Sequence, residues 1–173
     1  MIKPFAKHLS RRLGSRPRPA ALALVLLTAL AFGMAACSSA SHGTTNQHSP
    51  VVITTRDTSY GRVLTTGSGT ALYSFSLDVR SSTSNCPRGP CTDLWPPLVD
   101  NGKVVASGGV QRSLIGSIHR PGGTVQITYA GWPLYTFTTF SGPGQVGGQH
   151  ISQFGGYWYL MHASGHRVLA PAP

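Results

Sequence analysis

Cys86 and Cys91, the group Met161, His162 and His166, and four aspartates are the residues of this 173-residue chain whose types and spacing are capable of chemistry. The two cysteines enclose Pro87-Arg88-Gly89-Pro90, a segment suited to turning the chain back on itself. In an oxidising compartment such a pair is by default a structural disulfide. A redox-active dithiol or a metal pair is the alternative, although zinc would need further ligands and the sequence has no second cysteine pair. Met161, His162 and His166 lie close together near the C-terminus, and His119 and His150 could join them, a ligand set that suits copper. Histidines at hairpin ends are more often solvated surface, so no cofactor is expected and copper stands as the alternative. Asp57, Asp78, Asp93 and Asp100 are the only acidic residues, and there is no Gly-x-Ser-x-Gly elbow. Neither a nucleophile with its base nor an evident acid pair is in view, and no enzymatic activity is expected.

The third cysteine, Cys37, has a different setting. Six of the fourteen basic residues precede Ala20, and Ala20 to Phe32 is an apolar run of 13 residues broken only by Thr28. A membrane-spanning helix needs about 20 such residues, so the run reads as the core of a secretion signal. Met34-Ala35-Ala36-Cys37 at its end resembles the lipobox of bacterial lipoproteins, with Met34 where leucine is usual. That resemblance implies a signal peptide over 1–36, a lipid on Cys37, and a location on the extracytoplasmic face of a bacterial membrane. An ordinary cleavage site with an incidental cysteine is the alternative. Residues 37–50 are small and polar without a hydrophobic period, the composition of a flexible tether.

Removing the leader changes the charge argument. The whole chain carries a formal +10, but eight basic residues against four aspartates leave the exported part at about +4. The remaining arginines are scattered in sequence, with no basic and aromatic cluster of the kind that binds nucleic acid, so no nucleic-acid partner is expected.

The elements that must position these residues are short strands. From residue 51 onward, brief alternating apolar segments are separated by Gly and Pro, and helix signals are absent. In Thr124 to Tyr129, Val125, Ile127 and Tyr129 point one way and Thr124, Gln126 and Thr128 the other, between Pro121-Gly122-Gly123 and the turn Ala130-Gly131. Similar segments are Val63 to Thr65, Leu72 to Phe75, Val104 to Ala106, Trp132 to Phe137 and Trp158 to Met161. At an offset of 62 residues, Gly69-Thr70-Ala71-Leu72-Tyr73-Ser74-Phe75 matches Gly131-Trp132-Pro133-Leu134-Tyr135-Thr136-Phe137 at four of seven positions. With small gaps, Trp95-Pro96-Pro97-Leu98 falls beside Trp158-Tyr159-Leu160, and Asp100 to Val104 beside Ser164 to Val168. The expected fold is all-β: a β domain over 51–173, a compact sandwich or barrel-like body of two tandem copies, about 51–105 and 115–169.

Tyr73-Ser74-Phe75-Ser76-Leu77-Asp78, the cysteine pair followed by Trp95-Pro96-Pro97, and the second-copy residues Tyr135 and Phe137 with Pro143-Gly144 and Gly148-Gln149 resemble the secreted-repeat lipoproteins. That family is known by a Tyr-x-aromatic-x-x-Asp motif and its biochemical role is largely undefined. The second copy departs from it: Phe140 stands where the motif carboxylate is expected, and Gln145 where an acid should follow Pro143-Gly144. Asp78 is expected to serve the fold, accepting hydrogen bonds from the backbone of the following loop, and in the second copy burial of the Phe140 ring is expected to replace it.

Phe75, Trp95, Phe137 and Trp158 are expected in the core, whereas Trp132 and Tyr157, beside glycines at turns, are the candidate contact surface. The functional expectation is a lipid-anchored binding or interaction module of the bacterial envelope. It would meet the membrane through its lipid and an envelope protein or small ligand through its surface. A copper-binding or redox lipoprotein is second, and a structural envelope component third.

Overall fold

The computed structural model describes residues 48–170, so Cys37, the leader 1–36 and most of the tether lie outside the described residues. Val- and Thr-rich β1 (Val51–Thr58) pairs antiparallel with β2 (Gly61–Thr66), Ile53 opposite Thr66 and Thr58 opposite Gly61. There follow β3 (Tyr73–Phe75), the helix α1 (Pro90–Leu94) and β4 (Val104–Ala106). The second half holds β5 (Ile115–His119), β6 (Val125–Tyr129), β7 (Trp132–Pro133), β8 (Ser152–Gln153) and β9 (Gly156–Leu160). They form three small sheets, in the orders β2-β1-β4, β3-β9-β8 and β5-β6-β7.

The two copies are interlaced about the pair Tyr73 and Tyr135. Tyr73 N–H donates to the Tyr135 carbonyl and Tyr135 N–H to that of Tyr73, both at 2.9 Å. Each of these segments changes partner as it runs. Leu72 and Leu134 donate to Leu64 and Ile127, in the hairpins of their own copies, both at 3.0 Å. One residue on, Tyr73 pairs with Leu160 and Phe75 with Trp158, while Tyr135 bridges to Pro97, so each Tyr segment lies against the Trp segment of the other copy. The 62-residue offset is therefore a structural equivalence. Its alternating partners also explain why the expected strand Trp132 to Phe137 is regular only over β7.

Aromatic side chains fill this junction with the same symmetry. Phe75, Trp158, Trp95 and Phe137 form one continuous stack, with centroid separations of 4.4, 4.0 and 4.0 Å in turn. Tyr73 meets Trp95 edge-on at 5.3 Å, and Tyr135 meets Trp158 likewise at 5.1 Å. All six rings are buried, as expected for the four in the stack. A second cluster, including Ile53, Leu64, Leu72, Ile127, Leu134 and Met161, joins the hairpins on the other side of the Leu positions.

Three features go beyond the alternating pattern of the sequence. The chain is not free of helix: Pro90 opens α1, and the Thr92 hydroxyl accepts the Gly89 N–H at 3.1 Å, satisfying one of the donors that a helix start leaves free. Strand β6 is covered on both faces, because Gln126 and Thr128 are buried along with Ile127 and Tyr129. Gln126 is accommodated by donating to the Leu134 carbonyl at 2.8 Å and accepting from Arg120 at 2.6 Å. Finally, the copies diverge at their ends. β4 adds in parallel to β1, whereas the tight turn at Gly165 (φ +87°) folds Val168 back onto Leu160.

Candidate functional site

The motif residues build the scaffold. Asp78 is almost completely buried; one carboxylate oxygen accepts Asn85 N–H at 2.7 Å and the other the Tyr135 hydroxyl at 2.9 Å. The Tyr135 oxygen lies 2.6 Å from Ser84 Oγ, which in turn accepts from Arg120. A directional chain thus runs from the buried guanidinium of Arg120 through Ser84 and Tyr135 to the carboxylate. Arg120 also donates to the Cys86 carbonyl, tying the chain to the Cys86–Cys91 disulfide, whose cysteines are both buried. Burial pushes the Asp78 carboxyl up from 3.8 to about 6, against the opposing pull of Asn85, Tyr135, Arg120 and Arg167. In the second copy Phe140 is not buried; at 37% exposure it packs 5.8 Å from Phe137. A Cβ on Gly147 would meet the Phe140 ring at 2.7 Å, so this ring covers backbone instead of supplying an acceptor. The equivalent phenol, Tyr73, accepts the Gly148 N–H at 3.2 Å, and burial raises it to about 12.

The exposed chemistry lies on the opposite side of the β3–β9 strands and along the adjoining turn. Ala130 (φ +48°) and Gly131 (φ +81°) make a two-residue hairpin turn of the kind that needs both central residues left-handed, and it presents Trp132 half-buried. The guanidinium of Arg167 lies 3.5 Å from the Trp132 ring centroid and that of Arg80 5.5 Å from it. Both cations are held in place. Arg167 donates to Ser74 Oγ at 3.0 Å and to the Phe75 carbonyl at 2.6 Å, and Arg80 donates twice to the Ala130 carbonyl at 3.0 and 2.6 Å. Arg167 also lies 5.6 Å from Tyr159, which neighbours exposed Tyr157 at 6.4 Å, and Tyr157 stacks on His150 at 5.0 Å. Trp132 and Tyr157, the two contact candidates, are therefore ends of one strip that runs through Arg167 and Tyr159. Neither arginine was legible as part of a site, since Arg80 and Arg167 stand 52 and 35 residues from Trp132 in sequence.

The candidate metal ligands are not brought together as a set. Met161 is fully buried in the second apolar cluster. His162 is half-buried with Nδ1 at 3.0 Å from the Arg62 carbonyl, and His166, His119 and His150 are exposed. Among the described residues no three His, Cys, Asp or Glu side chains converge on a point that could hold a metal ion.

No curated protein and no solved structure matches the chain. A family model described as a secreted repeat of unknown function matches it twice, over residues 54–99 and 116–161. Each match falls within one of the interlaced copies, and together they cover more than half of the sequence. The chain belongs to this family of secreted repeats, and it is an extracytoplasmic all-β module built from two of them.

Proposed function

We propose that this extracytoplasmic module is a lipid-anchored binding or interaction protein of the cell envelope, without catalysis of its own, and that its contact surface is the strip from Arg80 and Trp132 to Tyr157. One observation carries the reading: the motif aromatics are consumed in the buried junction, while Trp132, Tyr159 and Tyr157 are set outward on rigid elements beside fixed guanidinium groups. Large amphipathic rings and arginine, pre-positioned, are the residues that dominate recognition surfaces. Anchoring follows from the lipobox resemblance at Cys37, and the tether supplies the reach. Fully extended at about 3.3 Å per residue, the 13 residues from Ser38 to Pro50 would span at most roughly 40 Å.

Photocrosslinking on intact cells tests the contact surface. A photoreactive residue at position 132 or 157 should give discrete adducts, and one at exposed Ser68, on the β2 turn, should not. Equal labelling at all three positions, or none at any, overturns the surface assignment. The anchor is tested separately: Cys37→Ala should release the protein from the membrane fraction and remove the acyl mass from the mature N-terminus, and undiminished retention with unchanged mass refutes it.

A further inference from the structure

Between the Ala130-Gly131 turn and the C-terminal hairpin lies a groove of about 480 Å³. Its walls include Leu114, Ala130, Trp132 and Leu169, and its cations are Arg80 and Arg167. The size is that of a small-ligand site. The two guanidinium groups share one indole ring, so like charges are brought together. Arg167 is lowered from its ordinary value chiefly by burial, with Arg80 contributing to the same effect. Among the described residues the only ion pair is the distant Arg62–Asp57. Asp78 is the acid that Arg167 feels, but both of its oxygens are already engaged by Asn85 and Tyr135. In each arginine Nε and one terminal nitrogen are used on protein acceptors, and Nη1 has no acceptor among the described residues. Two fixed cations with unused donors and no paired carboxylate favour an incoming anion. The apolar wall adds a second requirement. Leu169 is 73% exposed at the rim, and a bare inorganic anion would leave it and the neighbouring Leu114 uncovered.

We infer that the Arg80–Trp132–Arg167 groove binds an amphiphilic anion: a phosphate or carboxylate head met by the two guanidinium groups, carried on an apolar tail or ring that lies along Trp132, Leu114 and Leu169. This rests on the contact-surface reading and names the ligand class for one end of it. An anionic lipid headgroup and a soluble amphiphilic acid share this chemistry.

The mature chain carrying Cys37→Ala, so that no acyl group of its own competes, is titrated calorimetrically with dihexanoyl phosphatidate below its micelle concentration. Inorganic phosphate and dihexanoyl phosphatidylcholine serve as comparisons. Saturable one-to-one binding of the phosphatidate is expected, about tenfold or more tighter than either comparison and accompanied by a shift of the Trp132 indole N–H resonance. Arg80→Gln, at an exposed position that leaves the core intact, should weaken it about tenfold, and Leu169→Ala several-fold. Equal affinity for inorganic phosphate, no binding, or binding indifferent to Arg80→Gln overturns the inference. Co-sedimentation with phosphatidylglycerol vesicles then separates the sources. Arg80-dependent binding to both monomer and vesicle supports a lipid headgroup, binding to monomer alone supports a soluble amphiphile, and binding to vesicles alone overturns the groove as the site. Discrete crosslinks at 132 and 157 without phosphatidate binding would leave the contact surface standing and remove only this ligand class.

Discussion

The two oxygens of Asp78 are matched to two donors, Asn85 N–H and the Tyr135 hydroxyl, and the price of that match is a carboxylate withdrawn from water. Because the folded carboxyl sits at about 6 and its ordinary value is 3.8, the folded state holds the proton more tightly than the unfolded state does. Stability from this group is therefore fully present below about pH 4 and is lost as pH rises to about 6, a change of roughly 3 kcal/mol. Asp78→Asn abolishes this titration. Unfolding free energies from denaturant curves should shift in favour of the unsubstituted protein by about that amount on going from pH 7 to pH 4, and parallel profiles for the two proteins would show that Asp78 does not titrate in this range. A second residue-scale test concerns Gly148, where a Cβ would come within 2.8 Å of the Tyr73 ring and 2.9 Å of Trp95. Gly148→Ala should lower stability by about 1–3 kcal/mol, since Trp95 is held in the stack and buried Tyr73 packs edge-on against it, leaving neither ring room to give way. A denaturation midpoint equal to that of the unsubstituted protein would mean that the junction is loosely packed.

Among the elements, the loop from Asp78 to Leu94 is held by a covalent bridge as well as by hydrogen bonds. Cys86–Cys91 closes it across the start of α1, and the Arg120 bond to the Cys86 carbonyl connects it to the second copy. A loop this short restricts the unfolded chain by roughly 2 kcal/mol on the entropy model. Replacing both cysteines by serine should lower the unfolding free energy by about that amount while the far-ultraviolet spectrum keeps its β character, because the strands lie outside the loop. Intact-mass measurement of the native protein under alkylation should find neither Cys86 nor Cys91 modified, and two modified thiols would refute the pairing. The corresponding loop of the second copy has no disulfide; there Gln149 donates to Val168 and Ala170 carbonyls and accepts Leu160 N–H, three bonds at 2.7–2.8 Å.

At the scale of the whole molecule, the interlacing makes the two repeats one folding unit. Each Tyr segment completes its pairing on the Trp segment of the other copy, and the four-ring stack takes Phe75 and Trp95 from the first copy and Phe137 and Trp158 from the second. A single copy would expose half of that stack and leave the backbone of Tyr73 or Tyr135 without its partner. Residues 51–110 and 111–170 expressed separately should therefore be unfolded, with collapsed amide dispersion in NMR spectra, and should recover native dispersion when mixed in equal amounts. A separately folded, monomeric single copy would contradict the interlaced arrangement. The Arg80–Trp132–Arg167 groove does not follow the repeat, since the 62-residue offset places Thr70 opposite Trp132 and Gly142 opposite Arg80.

The repeat, the all-β class and the identity of the core aromatics were determined by the sequence alone, because period-two patterning and a 62-residue self-match are local signals that each segment carries by itself. The same holds for Cys86 and Cys91, whose separation is short enough to read directly, and for the exposure of Tyr157 at its turn, whereas Trp132, read in the same way, is half-buried beneath Arg167. Only the tertiary structure decided which copy each strand serves, since backbone hydrogen bonds carry no sequence label and a Leu-Tyr-x-Phe segment pairs equally well with either Trp segment. It also decided the gathering of Arg80 and Arg167 on one ring and the link from Arg120 through Ser84 and Tyr135 to Asp78. These contacts join residues 35 to 57 positions apart in sequence, where periodicity and turn chemistry have no reach and where packing alone sets which charges meet.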